Sequence, residues 1–364
     1  MSTDCYLDKM KNIQSSILCF IDQENSEENL QNLFDLLCEY NIHDNIYEFK
    51  SFIHLIIKIA NNHHRNFDFF EKIDKLILLI KDDIMKYFDN YAIFHLFKSN
   101  KRILLLLFEE QTIFVDNIIF PILISPKFVS KSYHRYFSPE IKMFLSGINI
   151  NYKKIDYDIK NEIEKEIPED FEEKRRKGEN DTKICEIIRE DSIEEFIEYF
   201  EQNKFHIFDT IQSSIFETNS FLLNKETTLI EYAAFFSSEK ILKFLISEYN
   251  SIKPSIWLYA IHGNKIETIQ LLEEKKIKPE NNNYNQCFKE SIKCHHNEIA
   301  FYLNYLHLVE DKYDALKYYN FAYIKKDFND KATIFALCKY DYPAIVNLLI
   351  LKINFDINIK IIQK

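Results

Sequence analysis

The C-terminal half of the chain reads Thr228-Leu229-Ile230-Glu231-Tyr232-Ala233-Ala234-Phe235-Phe236-Ser237-Ser238-Glu239-Lys240-Ile241-Leu242-Lys243-Phe244-Leu245, and this stretch decides the fold. The same frame recurs at 255–272, 286–303 and 332–349. Small residues in the first half of the frame let two helices approach closely, and Ile and Leu in the second half fill the space between them. A unit this short cannot bury its apolar faces alone, so we predict that the units stack into a solenoid.

Composition predicts an all-α fold. The chain has 364 residues, enough for two or three domains or one elongated array, and 46% of them are apolar, which is ample for a buried core. Only 3 Gly and 7 Pro are present, which disfavours a sheet-rich fold that needs Gly in turns and bulges. Leu, Ile, Phe and Tyr recur at three- and four-residue spacing almost throughout, as in helices.

Charge and cysteine content limit the class of partner and the compartment. A formal net charge of −11 argues against binding to nucleic acid, whose affinity for proteins comes mainly from Lys and Arg. The seven cysteines are odd in number and form no CxxC pair, which favours a reduced, cytoplasmic compartment. The longest apolar runs, Ile103–Phe108 and Ile118–Ile124, are far shorter than the ~20 residues that span a bilayer, so we expect no membrane association.

The chain divides by composition into three regions. Residues 1–150 are predicted to form a helical N-terminal domain, with helices at Glu27–Tyr40, Ile46–Ala60 and Phe69–Phe88. Residues 151–180 are rich in acidic side chains and carry the basic run Lys174-Arg175-Arg176-Lys177, which is typical of a charged linker or an exposed helix. Residues 181–364 hold the repeat array.

The repeated frame resembles the ankyrin helix pair, T-P-L-H-x-A-A-x-x-G-H-x-E-I-V-K-L-L. More narrowly, Ile184–Ile197 and Leu229–Leu245 resemble protist ankyrin-repeat proteins that carry an ankyrin-like domain of unknown function. The resemblance covers about residues 182–351. It implies a degenerate ankyrin-like solenoid and a non-enzymatic scaffold or adaptor. Because members of that group often continue into regular repeats, we expect this chain to be short or truncated.

The array departs from the ankyrin pattern in three ways. Ser237, His295 and Asp341 stand where ankyrin usually has Gly, and the usual hairpin signature between units is missing. The units start at 228, 255, 286 and 332, which are 27, 31 and 46 residues apart, against about 33 in ankyrin. The longest interval leaves room for a degenerate unit at Tyr313–Phe328.

The resemblance also predicts a partner-binding groove. In ankyrin-like arrays the two positions after the Ala pair face the concave surface. By that offset the predicted partner-binding residues are Phe235, Phe236, His262, Lys293, Lys339 and Tyr340. Their aromatic and basic character would suit an acidic or amphipathic polypeptide bound by a monomer. The alternative is that Phe235 and Phe236 pack against the neighbouring unit.

The sequence shows no pattern typical of catalysis or cofactor binding. Three isolated glycines cannot build a phosphate-cradling loop. Cys287 and Cys294 are seven residues apart on one helix, so their sulfurs should lie about 10 Å apart, too far for one tetrahedral ion. We therefore predict no metal and no cofactor, interpret His295-His296 as turn residues, and interpret His63-His64 as a helix end. The alternative function is an enzyme or regulatory subunit with an unrecognised site in residues 1–150.

Overall fold

A computed structural model describes residues 2–23, 26–66, 68–125, 133–147, 156–223, 225–248, 252–309, 313–328 and 330–352. These residues form helices and turns and no β-strand, with one isolated bridge between Thr210 and Thr228. The prediction of an all-α fold is therefore confirmed. Within the same ranges, no helix combines the length and the apolar character needed to cross a bilayer.

The helices before residue 180 follow the predicted pattern with one break. Their bounds are α1 Thr3–Asp22, α2 Ser26–Glu39, α3 Ile46–Asn62, α4 Phe69–Leu79, α5 Lys81–Tyr87, α6 Asn90–Phe97, α7 Lys101–Glu109, α8 Ile119–Leu123, α9 Tyr133–Tyr136, α10 Ser138–Gly147, α11 Tyr157–Glu164 and α12 Phe171–Lys177. A 3₁₀ turn occupies Ile42–Asp44. The helix expected at Phe69–Phe88 is two helices, because the backbone of Ile80 (φ −111°, ψ 9°) leaves the helical region.

Side-chain caps fix the starts of the helices that matter most for the site. The Asn45 side chain accepts hydrogen bonds from two backbone N–H groups at the start of α3, and Asn100 does the same for α7. At Thr228 the side chain and Glu231 form a reciprocal capping box. Such caps satisfy N–H groups that have no partner inside the helix.

The helices after residue 180 come mostly in pairs. Their bounds are α13 Lys183–Arg189, α14 Ile193–Gln202, α15 Ser220–Leu223, α16 Leu229–Phe235, α17 Glu239–Glu248, α18 Ile256–His262, α19 Ile266–Glu274, α20 Asn285–Cys294, α21 Asn297–His307, α22 Asp314–Lys317, α23 Lys331–Lys339 and α24 Pro343–Lys352. A 3₁₀ turn occupies Glu280–Asn282. Helix α18 packs against both α16 and α20, and α20 also packs against α22 and α3.

The turns within the pairs share one backbone geometry. A left-handed residue lies one or two positions after the first helix of each unit, at Asp191 (φ 49°), Ser237 (52°), Asn264 (53°), His295 (60°), Tyr319 (57°) and Asp341 (62°). After Ser237, His295 and Asp341, the next N–H donates to the carbonyl five residues earlier, as in a Schellman motif. These three residues therefore adopt a left-handed conformation that Gly takes most easily.

A ladder of hydrogen bonds joins successive pairs. The side chain that follows the left-handed residue donates to a carbonyl oxygen in the preceding first helix. The donors and acceptors are Ser238 Oγ to Ile188 O, His296 Nδ1 to Ile261 O (2.7 Å), Asn320 Nδ2 to Ile292 O (2.9 Å) and Tyr342 Oη to Leu316 O (2.8 Å). The Asn320 bond belongs to the degenerate unit predicted at Tyr313–Phe328.

The apolar core does not divide where composition changes. Helices α13 to α21 bury one cluster around Trp257 and Leu272. The N-terminal helices share a second cluster with the last units of the chain, including Leu316, Tyr342 and Ile345. Helix α24 packs against both α1 and α3, so the end of the array is covered by the N-terminal helices.

Residues 171–180, at the end of the predicted linker, are more buried than a charged linker would be, whereas most of 156–170 is exposed or half-buried. Residues 151–155 lie outside the described ranges, but α12 packs on α7 and buries Phe171 and Arg175. The Arg175 guanidinium pairs with Glu140 at 2.9 Å and with Glu172 at 2.5 Å. The basic run belongs partly to the core because these carboxylates compensate the buried charge.

Candidate functional site

The structure separates the six predicted groove residues into three places. Phe235 and His262 are 3% and 0% exposed, and their rings stack at 5.1 Å inside the array. A buried side chain cannot meet a partner, so these two do not line an open groove. The burial of Phe235 agrees with the alternative interpretation, in which this side chain packs against the neighbouring unit. Lys293 lies at the edge of this cluster, half-buried, with its amine 2.6 Å from Glu290.

The other three predicted residues reach the surface. Lys339 is exposed and Tyr340 is half-buried, and both line a shallow groove of about 430 Å³ beside the exposed Phe335. Phe236 is half-buried and lines a much larger cleft between the N-terminal helices and the array, of about 800 Å³. That volume lies within the range typical of ligand sites, roughly 300–1,000 Å³.

We call this larger space the charged cleft. Its basic lining residues are Arg65, Arg102, Arg176, Lys177 and Arg189; its acidic ones are Glu71, Asp74, Glu173, Glu179, Glu186 and Glu190; Asn66, Phe70 and Phe236 complete it. Charges of both signs alternate around two phenylalanine rings. The lining therefore favours a ligand with both donors and acceptors over a uniformly charged one.

Helical spacing places these side chains on the cleft. Phe70 and Asp74 are four residues apart on α4, so they share one helix face. Glu186 lies on α13, and Glu190 follows four residues later, directly after the end of that helix. Phe236 directly follows α16 and turns into the cleft from the array side. The cleft thus needs elements from both halves of the chain.

Arginines cover both phenylalanine rings. The Arg65 guanidinium lies 4.8 Å from the centre of the Phe70 ring, and the Arg189 guanidinium lies 5.9 Å from that of Phe236. Arg65 also pairs with Glu217 at 3.1 Å, and Arg189 pairs with Glu179 at 2.9 Å. Arginine planes of this kind present flat, rigid donors next to an apolar surface.

Two carboxyl groups of the cleft have raised pKa values. Burial raises the pKa of Asp74 although the neighbouring Arg102 lowers it, and burial likewise raises the pKa of Glu179 against the opposing effect of Arg189. Both carboxyl groups thus lie in surroundings that are partly withdrawn from water. Contacts made there are stronger than at an open surface.

Four buried polar atoms of the cleft residues have no hydrogen-bond partner among the described residues. Two are donors, Arg65 Nε and Arg102 Nη1, and two are acceptors, Asn66 Oδ1 and Asp74 Oδ1. Most buried polar groups in proteins are hydrogen-bonded, so a cluster of unpaired ones is unusual. Because these four atoms have almost no exposed surface, a ligand in the cleft reaches them only after side chains of the lining move.

A second cluster has the composition of a catalytic triad but not its setting. The Cys294 sulfur lies 3.4 Å from His262 Nδ1, and the other ring nitrogen, Nε2, lies 2.8 Å from Glu290. Cys294 is fully buried, and burial raises the pKa of its thiol well above the ordinary value, so the reactive thiolate is disfavoured. The arrangement is better explained as a packed core contact.

A third cluster joins the two predicted histidine pairs. His63 directly follows α3, as expected of a helix end, and its ring lies 4.4 Å from that of His64 and 4.9 Å from that of His296. Asp22 at the end of α1 lies 2.9 Å from His63. The sequence spacing could not reveal this cluster, because more than 230 residues separate His63 from His296.

Comparison of the chain with protein-family models, with curated proteins and with solved structures gave no significant match. The case for a function therefore rests on the geometry and chemistry of this chain's own residues.

Proposed function

We propose that this chain is a non-enzymatic interaction protein that binds a polypeptide segment in the charged cleft. The observation that carries the proposal is the cleft of about 800 Å³ itself, whose lining combines Phe70 and Phe236 with side chains of both charges. A polypeptide backbone offers N–H and C=O groups in alternation, so it can pair with donors and acceptors of such a lining at once.

Charge favours a polypeptide over a nucleic acid. The cleft carries six acidic and five basic side chains, and the whole chain is acidic. A phosphate backbone would meet repulsion from the carboxylates, whereas a peptide with side chains of both signs can match them. The partner we propose is therefore a segment of mixed charge with one apolar or aromatic anchor.

The array supports this function as a rigid scaffold. We infer that the pairs from α13 to α24 form a degenerate ankyrin-like solenoid, as the sequence resemblance implied. Support comes from the left-handed residue repeated in the turns and from the four hydrogen bonds of the ladder, each of which links a unit to the one before. A stack of this kind holds the array side of the cleft in place, so that binding costs little ordering entropy.

The enzyme alternative has less support. The carboxyl groups of Asp74 and Glu179 have raised pKa values, but each is paired with an arginine, Arg102 or Arg189. The triad-like Cys294 lies fully buried in the core. Neither arrangement holds a reactive group exposed to a substrate.

The test is selection of peptides on the full chain. A displayed library of random peptides is panned against the protein, and enriched peptides are labelled and titrated by fluorescence anisotropy. We expect Phe236→Ala to weaken binding at least tenfold, because an aromatic anchor contributes about 2 kcal/mol. We expect Arg176→Glu, a change on an exposed side chain, to weaken peptides that carry an acidic group near the anchor.

The matched control is Phe301→Ala, the same change at a phenylalanine that is 68% exposed on α21, away from the charged cleft. It should leave the affinity unchanged. Enriched peptides that bind wild type, Phe236→Ala and Arg176→Glu equally well would contradict the proposal, and so would a library that yields no enrichment on the folded protein.

A further inference from the structure

We propose that Asp22, His63, His64 and His296 form a binding site for a divalent transition metal, with Zn²⁺ as the best-suited ion. The proposal is separate from peptide binding in the charged cleft. It rests on four side chains from three elements: the end of α1, the segment after α3, and the turn between α20 and α21. Three imidazoles and one carboxylate are a ligand set that zinc accepts in tetrahedral geometry.

The orientation of the His63 and His296 rings favours metal binding. His63 Nδ1 donates to the Cys294 carbonyl at 2.8 Å, and His296 Nδ1 donates to the Ile261 carbonyl at 2.7 Å. Both bonds place the proton on Nδ1 and direct the Nε2 atom of each ring toward the cluster. Metal-binding histidines usually donate their other N–H to a backbone carbonyl or carboxylate in this way, which fixes the tautomer.

The third ring is held similarly. His64 Nδ1 lies 3.2 Å from the side-chain amide of Asn264, and its Nε2 lies 3.5 Å from Asp22 Oδ1. Rotation of the Asn264 amide by half a turn presents its oxygen to an Nδ1–H, which leaves Nε2 free to bind an ion. Each of the three rings therefore has an outer partner and an inward-facing Nε2.

The contact between His63 and Asp22 also favours a cation at this place. With its Nδ1 proton directed at Cys294, His63 also lies 2.9 Å from Asp22 Oδ1 through Nε2. Both nitrogens of one buried ring thus face oxygen acceptors, so the Nε2 side needs a positive charge between ring and carboxylate. A proton can supply it, and so can a metal ion that binds both atoms.

The spacing allows one ion. The ligand atoms of the three histidines lie within 4.8 Å of one another, and a tetrahedral zinc site needs about 3.4 Å between ligands. The backbone N–H of His64 donates a long hydrogen bond, 3.3 Å, to His296 Nε2, and a metal ion bound to Nε2 would replace this bond. The ligand atoms therefore need to approach one another by only about 1 Å. The side chains of His64 and Asp22 are 21% and 34% exposed, so an ion can enter the site from solvent.

Nearby cations do not preclude an ion at this place. Lys72 acts on Asp22, and it is compensated by Asp68 at 3.0 Å and by the Ile21 carbonyl at 2.8 Å. Lys265 acts on His64, and its amine donates a hydrogen bond to the Ser237 carbonyl at 3.5 Å. The His262, Glu290 and Cys294 cluster is less suitable as a metal site. Only three ligand atoms meet there, and the Glu290 carboxylate is already paired with Lys293 at 2.6 Å.

A filled site would have a structural consequence. Four protein ligands close the coordination sphere, which is typical of structural rather than catalytic zinc. The ion would fasten α1 and the end of α3 to the turn of the third repeat unit. Zinc should therefore stabilise the contact between the N-terminal helices and the array.

The test is direct titration of the full chain with Zn²⁺ after treatment with a chelator, followed by calorimetry and elemental analysis. We expect one equivalent to bind and thermal unfolding to shift upward with added zinc. Cobalt(II) in place of zinc should give the strong visible absorption of four-coordinate cobalt. His296→Asn keeps a donor for the Ile261 carbonyl but removes Nε2, and we expect it to weaken zinc binding at least tenfold, as should Asp22→Asn.

The matched control is His95→Asn, the same change at a histidine on α6 outside the cluster. It should leave zinc affinity unchanged. Unfolding of the metal-free His296→Asn variant at the wild-type temperature would show that it folds. Failure of the wild type to bind zinc, or equal zinc affinity in wild type, His296→Asn and Asp22→Asn, would overturn the proposal. Peptide affinity in the charged cleft is measured separately with a chelator present.

Discussion

The hydroxyl oxygen of Tyr342 lies 2.8 Å from the carbonyl oxygen of Leu316 and donates a hydrogen bond to it. The two residues belong to successive helix pairs, and both are buried. The same relationship recurs between His296 and Ile261 and between Asn320 and Ile292. A side chain at one fixed place in the turn therefore links each of these units to the one before.

Removing one rung of this ladder should destabilise the chain. Tyr342→Phe deletes only the hydroxyl and leaves the Leu316 carbonyl buried without that partner. We expect a loss of about 1–3 kcal/mol in the free energy of unfolding, measured by urea denaturation. Tyr305→Phe, at a residue 74% exposed, should change it by less than about 0.5 kcal/mol. Equal effects would mean that the hydroxyl bond adds nothing to the stack.

Substitution by glycine at two left-handed turn positions should change the free energy of unfolding in opposite directions. His295 (φ 60°) is buried, and its ring nitrogens contact Gln14 at 3.1 Å and the Tyr318 carbonyl at 3.0 Å. His295→Gly should cost at least about 2 kcal/mol, because these bonds and the packing are lost. Lys276 (φ 57°) is exposed, so Lys276→Gly should stabilise by up to about 1 kcal/mol. Urea midpoints that move the same way for both would contradict this account of the turns.

The buried Glu290 should make stability depend on pH below 5. Burial opposes its ionisation, but the hydrogen bond and charge of His262 and the charge of Lys293 lower the pKa of Glu290 from 4.5 to about 2. A pKa lowered in the folded state gives stability that is complete above about 4.5 and lost as the pH falls toward 2.

The variant Glu290→Gln keeps both hydrogen bonds but cannot titrate. Between pH 5 and pH 3 the wild type should lose about 2 kcal/mol more stability than the variant, at about 1.4 kcal/mol per pH unit. Urea denaturation at the two pH values gives the comparison. Parallel losses in the two proteins would show that Glu290 is not the titrating group.

Core packing in the array gives a further prediction. Leu272 is fully buried in the cluster around Trp257. Leu272→Ala should cost about 2–5 kcal/mol, since it removes apolar contacts and leaves a cavity. The comparison is Leu308→Ala, at a side chain that is 85% exposed, which should change the urea midpoint little. A small effect at Leu272 would mean that the repeat frame is misplaced.

Much of the fold could be predicted because its signals are local. Apolar spacing identified α3, α16 and α18, and the repeat frame placed Ser237, His295 and Asp341 in turns that require a left-handed residue. The helix break at Ile80 was missed, because its apolar pattern continues unbroken from Phe69 to Phe88. Local patterns fix helices and turns, but a single non-helical backbone angle leaves little trace in them.

The site could be predicted only in part, because it depends on contacts between distant segments. The repeat offset selected Phe236, which does line the charged cleft, but it also selected Phe235 and His262, which are buried. An offset marks a position in the unit and does not tell whether a neighbouring segment covers it. Here Phe221 covers the His262 ring at 4.1 Å, and α15, which carries Phe221, lies outside the repeat frame. Arg65, between α3 and α4, and Arg102, on α7, lie before the repeat array, so the frame could not select them.

Hydrogen exchange of the full chain, with and without a saturating selected peptide, tests whether a polypeptide binds in the charged cleft. We expect slower exchange around Arg65, Asp74, Glu186, Glu190 and Phe236 when the peptide is bound. We expect no change on α19 and α21, which do not line the cleft. Protection confined to α19 and α21, with the cleft segments unchanged, would contradict the claim.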